Sequence, residues 1–140
     1  MRYRETQGGR SFVARLETGA DWRAEIETLA EETGIDAGFF VGLGAVADAE
    51  LHYYDQDAAE YTPVEFDEPL EIAACVGNVA WLDGDRFAHT HVVCSREDGS
   101  TVAGHLHRAT VFAGELYVRE LDCWLDREPH EATGLDLWLA

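Results

Sequence analysis

The sequence predicts an α+β fold, with a largely antiparallel, mixed β-sheet of about seven strands flanked by one main helix. Short segments of alternating or continuous apolar residues recur along the chain, which is typical of strands. Only residues 21–33 carry apolar side chains at helical spacing. With 140 residues, of which 46% are hydrophobic, the chain can form its own core. We therefore expect one domain spanning residues 1–140.

The first two elements are a strand and the helix. Residues 10–17 alternate apolar and polar side chains and are predicted to form the first strand. Residues 21–33 are predicted to form the helix, because Gly34 follows directly and can end it in a left-handed conformation. The apolar stripe of this helix is expected to face the core and to carry no chemistry.

The middle of the chain reads as further strands. Residues 37–46 and 48–55 predict two strands joined by a glycine bend, and residues 61–66 and 70–79 predict two more. The glycine-rich run within the first of these looks superficially like a dinucleotide fingerprint. That motif needs a helix after its last glycine, and a strand-like segment follows here, so no nucleotide site is assigned. His52 lies alone in this region and is interpreted as a structural or surface residue.

The end of the chain supplies a last strand and a tail. Residues 110–121 are predicted to form the strand. Residues 124–140 are acidic and irregular in pattern, but they contain apolar residues near their end, including Leu137, Trp138 and Leu139. We expect this tail to pack on its own domain or on a neighbouring subunit.

The charge of the chain restricts its partners. The formal net charge is −18, from 28 acidic and 10 basic residues, and every basic residue is arginine. A lysine-free acidic surface around an ordinary apolar core is typical of proteins adapted to high salt. The apolar content argues against a disordered acidic chain. Binding to DNA draws much of its affinity from cations that meet phosphates, so the charge disfavours DNA as a partner.

The cysteines and the termini give expectations about the compartment. Cys75, Cys94 and Cys123 are odd in number and far apart, which argues against both a disulfide framework and a thiolate zinc site. No apolar run approaches the length of a membrane span, and the first residues lack the apolar segment of a signal peptide. We expect a soluble, cytoplasmic protein.

Four of the six histidines lie in a predicted β-hairpin, residues 88–107. Side chains two residues apart on a strand lie on the same face of the sheet. His89 and His91 therefore share one face, and so do His105 and His107. A two-residue turn at Asp98-Gly99 would put the two pairs on opposite faces. A three-residue loop, 97–99, with glycine at the left-handed position would instead oppose His91 to His105 and His89 to His107. We favour the three-residue loop, because its third position demands glycine.

That register would gather three or four imidazoles, a donor set suited to Zn²⁺ or a similar metal. His89, His91 and His105 are the predicted ligands, and His107 is a further possibility. Exposed strand histidines without a metal are the alternative. Glu71 lies in an otherwise apolar strand and is a candidate general base or support for a ligand, or else a solvent-facing residue. Cys94 is expected on the strand face opposite His91, as a buried thiol.

The chain resembles the PPC (plants and prokaryotes conserved) domain over nearly its full length. The resemblance rests on the order and spacing of short motifs. They are Gly42-Leu43-Gly44-Ala45, Ala49-Glu50-Leu51, Leu70-Glu71-Ile72, Gly77-Asn78, His89-Thr90-His91-Val92, Asp98-Gly99 and Gly104-His105-Leu106. One departure is Ala103, where the family usually has the first glycine of Gly-Gly-His.

The resemblance implies a mixed sheet flanked by a helix, a homotrimer and, in prokaryotic members, a metal, usually zinc, held by three histidines. By motif these are His89, His91 and His105. Plant members are similar in this domain but contact DNA through a separate basic AT-hook, which this chain lacks, so a DNA-binding or regulatory role rests on analogy. Residues 70–78 resemble the region through which plant members engage partner proteins.

The sequence is therefore consistent with three functions. The first is a stand-alone, metal-binding PPC homotrimer with a DNA-binding or regulatory role. The second is a zinc-dependent enzyme or ligand-binding protein that uses an open three-histidine site, with Glu71 as a base. The third is a protein-interaction scaffold with a structural metal.

Overall fold

The structure is a computed structural model that describes residues 1–2 and 4–138. Its elements confirm the predicted α+β class, since one helix and eight strands make up the described part of the chain. They are β1 (Gly8–Leu16), α1 (Trp22–Thr33), β2 (Gly38–Asp55), β3 (Glu60–Phe66), β4 (Leu70–Leu82), β5 (Asp85–Ser95), β6 (Thr101–Leu121), β7 (Arg127–His130) and β8 (Leu135–Trp138).

Six strands form one sheet in the order β1-β6-β5-β4-β2-β3. Strand β2 pairs with β4 along one edge and with β6 along the other, so β2, β4, β5 and β6 close into a ring. The pairings between these strands are antiparallel. The one parallel contact among the described residues is an isolated bridge between Trp81 and Asp126. The core fills the inside of the ring, under helix α1.

Two strands are longer than the sequence predicts. Residues 37–46 and 48–55 form the single strand β2, and the end of the histidine hairpin continues without a break into residues 110–121 as β6. Register shifts at several points let these long strands bend while they stay paired. At Gly44 the chains approach so closely that a Cβ atom would lie 2.1 Å from the carbonyl oxygen of Ala113. The predicted bend is therefore a bulge within one strand.

Helix α1 begins and ends as predicted. Asp21 is its N-cap and accepts a hydrogen bond from the Ala24 N–H at 2.8 Å, while Gly34 closes it with a φ of 68°. The predicted apolar stripe packs across β5 and β6, with Trp22 fully buried. This contact covers one side of the strands that carry the histidines.

The tail is ordered as a β-hairpin rather than irregular. Strands β7 and β8 pair with each other, and the Trp81 N–H donates to the carbonyl oxygen of Leu125 at 2.9 Å. Leu125, Ala37 and Ala80 form a small second core, against which Trp138 packs. The tail therefore packs on its own domain. Leu139 and Ala140 lie outside the described residues.

The burial pattern confirms one further expectation. Cys94 is buried and free, whereas His91, three positions earlier on β5, is exposed on the opposite face, as predicted. None of the helices in the part of the chain that the structure describes has the length and hydropathy needed to cross a membrane.

Candidate metal centre

The loop between β5 and β6 has the predicted three-residue form. The Gly99 N–H donates to the carbonyl oxygen of Arg96 at 3.0 Å, and the Arg96 N–H donates to that of Ser100 at 2.9 Å. Gly99 has a φ of 80°, the left-handed conformation that favours glycine. The resulting register pairs His91 with His105, as predicted.

The second predicted histidine pair does not form. The ladder between β5 and β6 ends at His91 and His105. Beyond that point β6 pairs with β2, and a register shift leaves His107 without a paired residue on β2. On β5, His89 pairs with Asn78 of β4. The prediction that His89 opposes His107 was therefore wrong, because the closed ring draws β6 away from β5.

Three histidines nevertheless converge. One ring nitrogen from each of His89, His91 and His105 lies within 4.8 Å of the others. The Nε2 atoms of His89 and His91 are 3.2 Å apart. Two nitrogens bound to one tetrahedral zinc at about 2.05 Å are separated by roughly 3.3 Å. The spacing of this pair is therefore that of metal ligands, and the three residues are those that the sequence and the resemblance predict.

The surroundings keep the three imidazoles neutral. Burial, the Arg127 guanidinium and His91 lower the pKa of His89 to about 4. Burial also lowers the pKa of His91, and burial together with the neighbouring histidines lowers the pKa of His105 to about 3. Metal binding requires an unprotonated nitrogen, so at neutral pH these rings can ligate without first losing a charge.

Arg127 supports His89 and was not identified from the sequence. Its Nη2 atom lies 2.6 Å from the Asn78 Oδ1 acceptor and 3.0 Å from His89 Nδ1. An arginine N–H only donates, so His89 Nδ1 accepts and the proton of the neutral ring sits on Nε2, which faces His91 Nε2. A neutral ring that binds a metal at Nε2 needs the other tautomer, with its proton on Nδ1, so Arg127 would then release Nδ1 and keep Asn78 as its acceptor. The only sequence signal was a basic residue within the acidic tail.

A second cluster lies beside the first. His52 Nε2 is 2.8 Å from Glu50 Oε1, and the His52 ring stacks on that of His107 with centroids 4.4 Å apart. Arg108 donates to the other oxygen of Glu50, and these neighbours lower the pKa of Glu50, with His52 as the largest cause. His107 therefore belongs with His52, which is not the isolated residue that the sequence suggests. Its parallel stacking is poor geometry for two rings to share one ion, because a metal must lie near both ring planes.

Glu71 lies away from the histidines. It is exposed near the start of β4 and pairs with Ser95, whereas His91 pairs with Val76, five positions further along that strand. Five strand residues span roughly 16 Å, so the carboxylate is not within reach of the three rings. The structure thus shows the solvent-facing alternative for Glu71.

The donor set fits a metal of the zinc type. It consists of three neutral imidazoles without a thiolate or carboxylate, and three protein ligands leave an open position. The Nδ1 atom of His105 is buried and has no hydrogen-bond partner in the described structure. A buried nitrogen of this kind needs a ligand or an ordered water, and an ion bound among the three rings would meet that need.

Two of the three histidines, His91 and His105, lie at the end of an exposed apolar row. Directly paired residues run across five strands in one line. From the far edge they are Val13, Tyr117, Val41, Val76, His91 and His105. The apolar side chains are 84%, 44%, 51% and 47% exposed in that order. Contiguous exposed apolar surface on a sheet marks a contact surface.

Comparison with known proteins finds one matching family model and several similar solved structures. The sequence model of the Plants and Prokaryotes Conserved (PCC) domain, abbreviated PPC above, matches residues 3–122. The crystal structure of a metal-containing protein from Archaeoglobus fulgidus is 41% identical, with a TM-score of 0.95 and full coverage of both chains. A PPC protein from Pyrococcus horikoshii is 28% identical, with a TM-score of 0.94 and coverage of 100% of this chain and 98% of the other.

More distant likenesses carry less information. A candidate DNA-binding protein from Bacteroides thetaiotaomicron has a TM-score of 0.86 at 23% identity, over 95% of this chain and 96% of that one, which shows the fold alone. The bifunctional protein GlmU of a Synechococcus strain is 30% identical over 129 residues, which is 89% of this chain. The chain spans only about a fifth (20%) of the length of that curated relative.

Proposed function

Because the chain belongs to the Plants and Prokaryotes Conserved domain family, we propose that it is a zinc-binding member that assembles as a homotrimer. His89, His91 and His105 are the proposed ligands. The observation that carries the proposal is their convergence, with His89 and His91 nitrogens 3.2 Å apart. Neutral imidazoles favour zinc over hard cations such as magnesium, which prefer oxygen. A zinc ion there would act as a Lewis acid towards whatever fills its open position.

Metal analysis tests the ligand set. The purified protein should carry about one zinc per chain, and the His91→Ala, His105→Ala double variant should carry none. His130→Ala is the matched control, since His130 lies in β7 and contacts Thr133 rather than the three rings. Equal metal in the double variant and the control would exclude these ligands. No transition metal in the wild-type protein would exclude the site.

The apolar row supports the homotrimer. Val41 lies at its centre, 51% exposed, between Tyr117 and Val76. A self-association surface would bury these side chains. We expect light scattering to give three chains per particle, and Val41→Glu to give monomers. Val64→Glu introduces the same charge at a comparably exposed valine on β3, off the row, and should leave the assembly intact. A monomeric wild-type protein would refute the proposal.

The acidic surface is proposed to be an adaptation to high salt. A net charge of −18 repels itself at low ionic strength, and salt screens that repulsion. The melting temperature should rise as KCl increases from about 0.1 M to about 2 M. A melting temperature that stays constant or falls over this range would contradict the adaptation. The cytoplasmic location expected from the sequence remains part of this proposal.

A role in DNA binding is the expectation that the family carries, and the charges work against it here. The three arginines nearest the hairpin are each engaged by carboxylates. Arg86 pairs with Glu31 and Asp36, Arg96 with Glu68, and Arg108 with Glu50 and Asp48. Phosphate contacts need cations that are free to bind. Fluorescence anisotropy with a duplex in about 50 mM salt should show no binding, and saturable binding would restore the regulatory role.

An enzyme or ligand-binding protein is the second candidate function. Three ligands leave zinc an open position, and a cavity opens directly onto His89 and His105. A scaffold with a purely structural metal would not need such a cavity. Glu71 remains the proposed base only if a partner subunit brings it near the rings, because within the chain it is too distant.

A further inference from the structure

A cavity of about 350 Å³ adjoins the three histidines. One side is formed by β2, β3 and β5, and the other by the C-terminal hairpin. Its lining includes Tyr61, Phe87, His89, His105, Arg127 and Leu135. Its volume is at the lower end of the range for small-molecule sites, so it suits a compact ligand.

Arg127 brings a positive charge to this cavity without a carboxylate partner. Among the residues that the structure describes, no acidic side chain lies within ion-pair distance of its guanidinium. Its contacts are the Asn78 amide oxygen, His89 Nδ1 and the backbone carbonyl oxygen of Asp136. Its guanidinium carbon also lies 5.8 Å from the centre of the Phe87 ring. Half-buried cations are normally paired, so this one is available for an anion.

Unpaired polar atoms surround the same space. The Arg127 Nε–H and His105 Nδ1 are both buried and lack hydrogen-bond partners within the described chain. The Tyr61 hydroxyl, which also lines the cavity, makes no hydrogen bond with any described residue. Tyr61 is 42% exposed, so water can reach its hydroxyl when the cavity is empty. Buried polar groups normally have partners, and the unpaired Arg127 Nε–H beside this cavity points to a ligand that the metal site does not account for.

We propose that this cavity binds a small organic carboxylate, held by Arg127 and oriented by Tyr61. The carboxylate would also lie beside His89 and His105, two of the proposed zinc ligands. That contact rests on the proposed function, whereas the contact with Arg127 does not. Arg127 lies beyond residues 3–122, the stretch that the family model matches, so membership of the family does not assign it this role.

The walls distinguish an organic acid from other anions. Phe87, Leu135 and Leu137 form an apolar side that inorganic phosphate would leave uncovered. Glu60 and Asp136 also line the cavity and are exposed, so they repel an anion with many charges, such as a nucleic acid, more strongly than a single carboxylate held at Arg127. A compact acid with one carboxylate and an apolar body matches both features.

Calorimetric titration with matched probes tests the proposal. Benzoate is the acid, benzamide is its neutral isostere, and inorganic phosphate is the anion without an apolar body. Benzoate should bind the full-length protein at least about tenfold more tightly than either of the others, since a hydrogen bond to a charged group is worth one or two powers of ten. Arg127→Met should remove this preference. Arg96→Met, which deletes a cation outside the cavity, should keep it.

Measuring metal content in every sample separates the two proposals. If the protein carries zinc but binds benzoate and benzamide equally, the carboxylate site is refuted and the proposed function stands. If the protein carries no zinc but benzoate still binds through Arg127, the carboxylate site stands and the proposed function fails. Should Arg127→Met fail to fold, the benzoate-to-benzamide comparison in the wild-type protein decides alone.

Discussion

Gly77 offers the sharpest test of how the fold supports the histidines. It lies on β4, opposite Thr90 of β5 and one residue from Asn78. A Cβ atom at Gly77 would lie 2.2 Å from the carbonyl oxygen of His89 and 2.3 Å from the ring of Phe40. Both distances are more than about 1 Å shorter than van der Waals contact, which begins near 3.5 Å. Gly77→Ala therefore forces β5 or the Phe40 ring to move.

Neither the Phe40 ring nor the His89 backbone can move without a loss of stability. Phe40 is 1% exposed, and the His89 carbonyl belongs to a paired strand. Overpacking of a dense core costs about 1–3 kcal/mol, and one clash with backbone together with one against a buried ring puts this substitution near 3 kcal/mol. For a chain of this length that corresponds to a melting temperature lower by about 10 °C. Because the displaced backbone is that of His89, zinc content should fall as well.

Differential scanning calorimetry at equal protein concentration, with metal analysis of the same samples, measures both effects. Gly8→Ala is the control, because its Cβ would meet only the flexible end of the Arg119 side chain, and its stability should stay within about 0.5 kcal/mol of wild type. A Gly77→Ala protein that melts within about 2 °C of wild type and keeps its metal would refute the packing argument.

Three further predictions concern the helix cap, an ion pair and the metal. Asp21→Ala should cost about 2 kcal/mol in chemical denaturation, since its carboxylate caps Ala24 and also accepts from the Ala109 N–H at 3.0 Å; Asp21→Asn should cost less. Arg10 lowers the pKa of Glu120 to about 2, so this ion pair stabilises the fold above about pH 4.5 and the stabilisation is lost as the pH falls towards 2. Glu120→Gln should therefore lower the free energy of unfolding by roughly 1 kcal/mol at neutral pH, and this difference from wild type should disappear between about pH 4.5 and pH 2. A deficit that is constant with pH would contradict this assignment. Chelation should lower the melting temperature, because the three histidines converge only in the folded chain and an ion bound there would stabilise it; an unchanged melting temperature would argue against a resident ion.

Local rules in the sequence determined the helix and the hairpin. The cap residues Asp21 and Gly34 define α1 because each satisfies the backbone at its own end. Gly99 sets the loop length, and the loop sets the pairing of His91 with His105. These features depend on residues within a few positions of one another, so the sequence alone predicts them, together with three of the candidate ligands.

Contacts between distant parts of the chain decided the rest. The ring closes when β6 leaves β5 for β2, and this takes His107 away from His89 and puts it on His52. Arg127 reaches His89 from 38 residues further along the chain, through a hairpin whose sequence looks irregular. No period or spacing in the sequence encodes which strand edges meet, because burial of the whole core selects them. The sequence therefore determined the candidate donor atoms, and the tertiary structure decided what surrounds them.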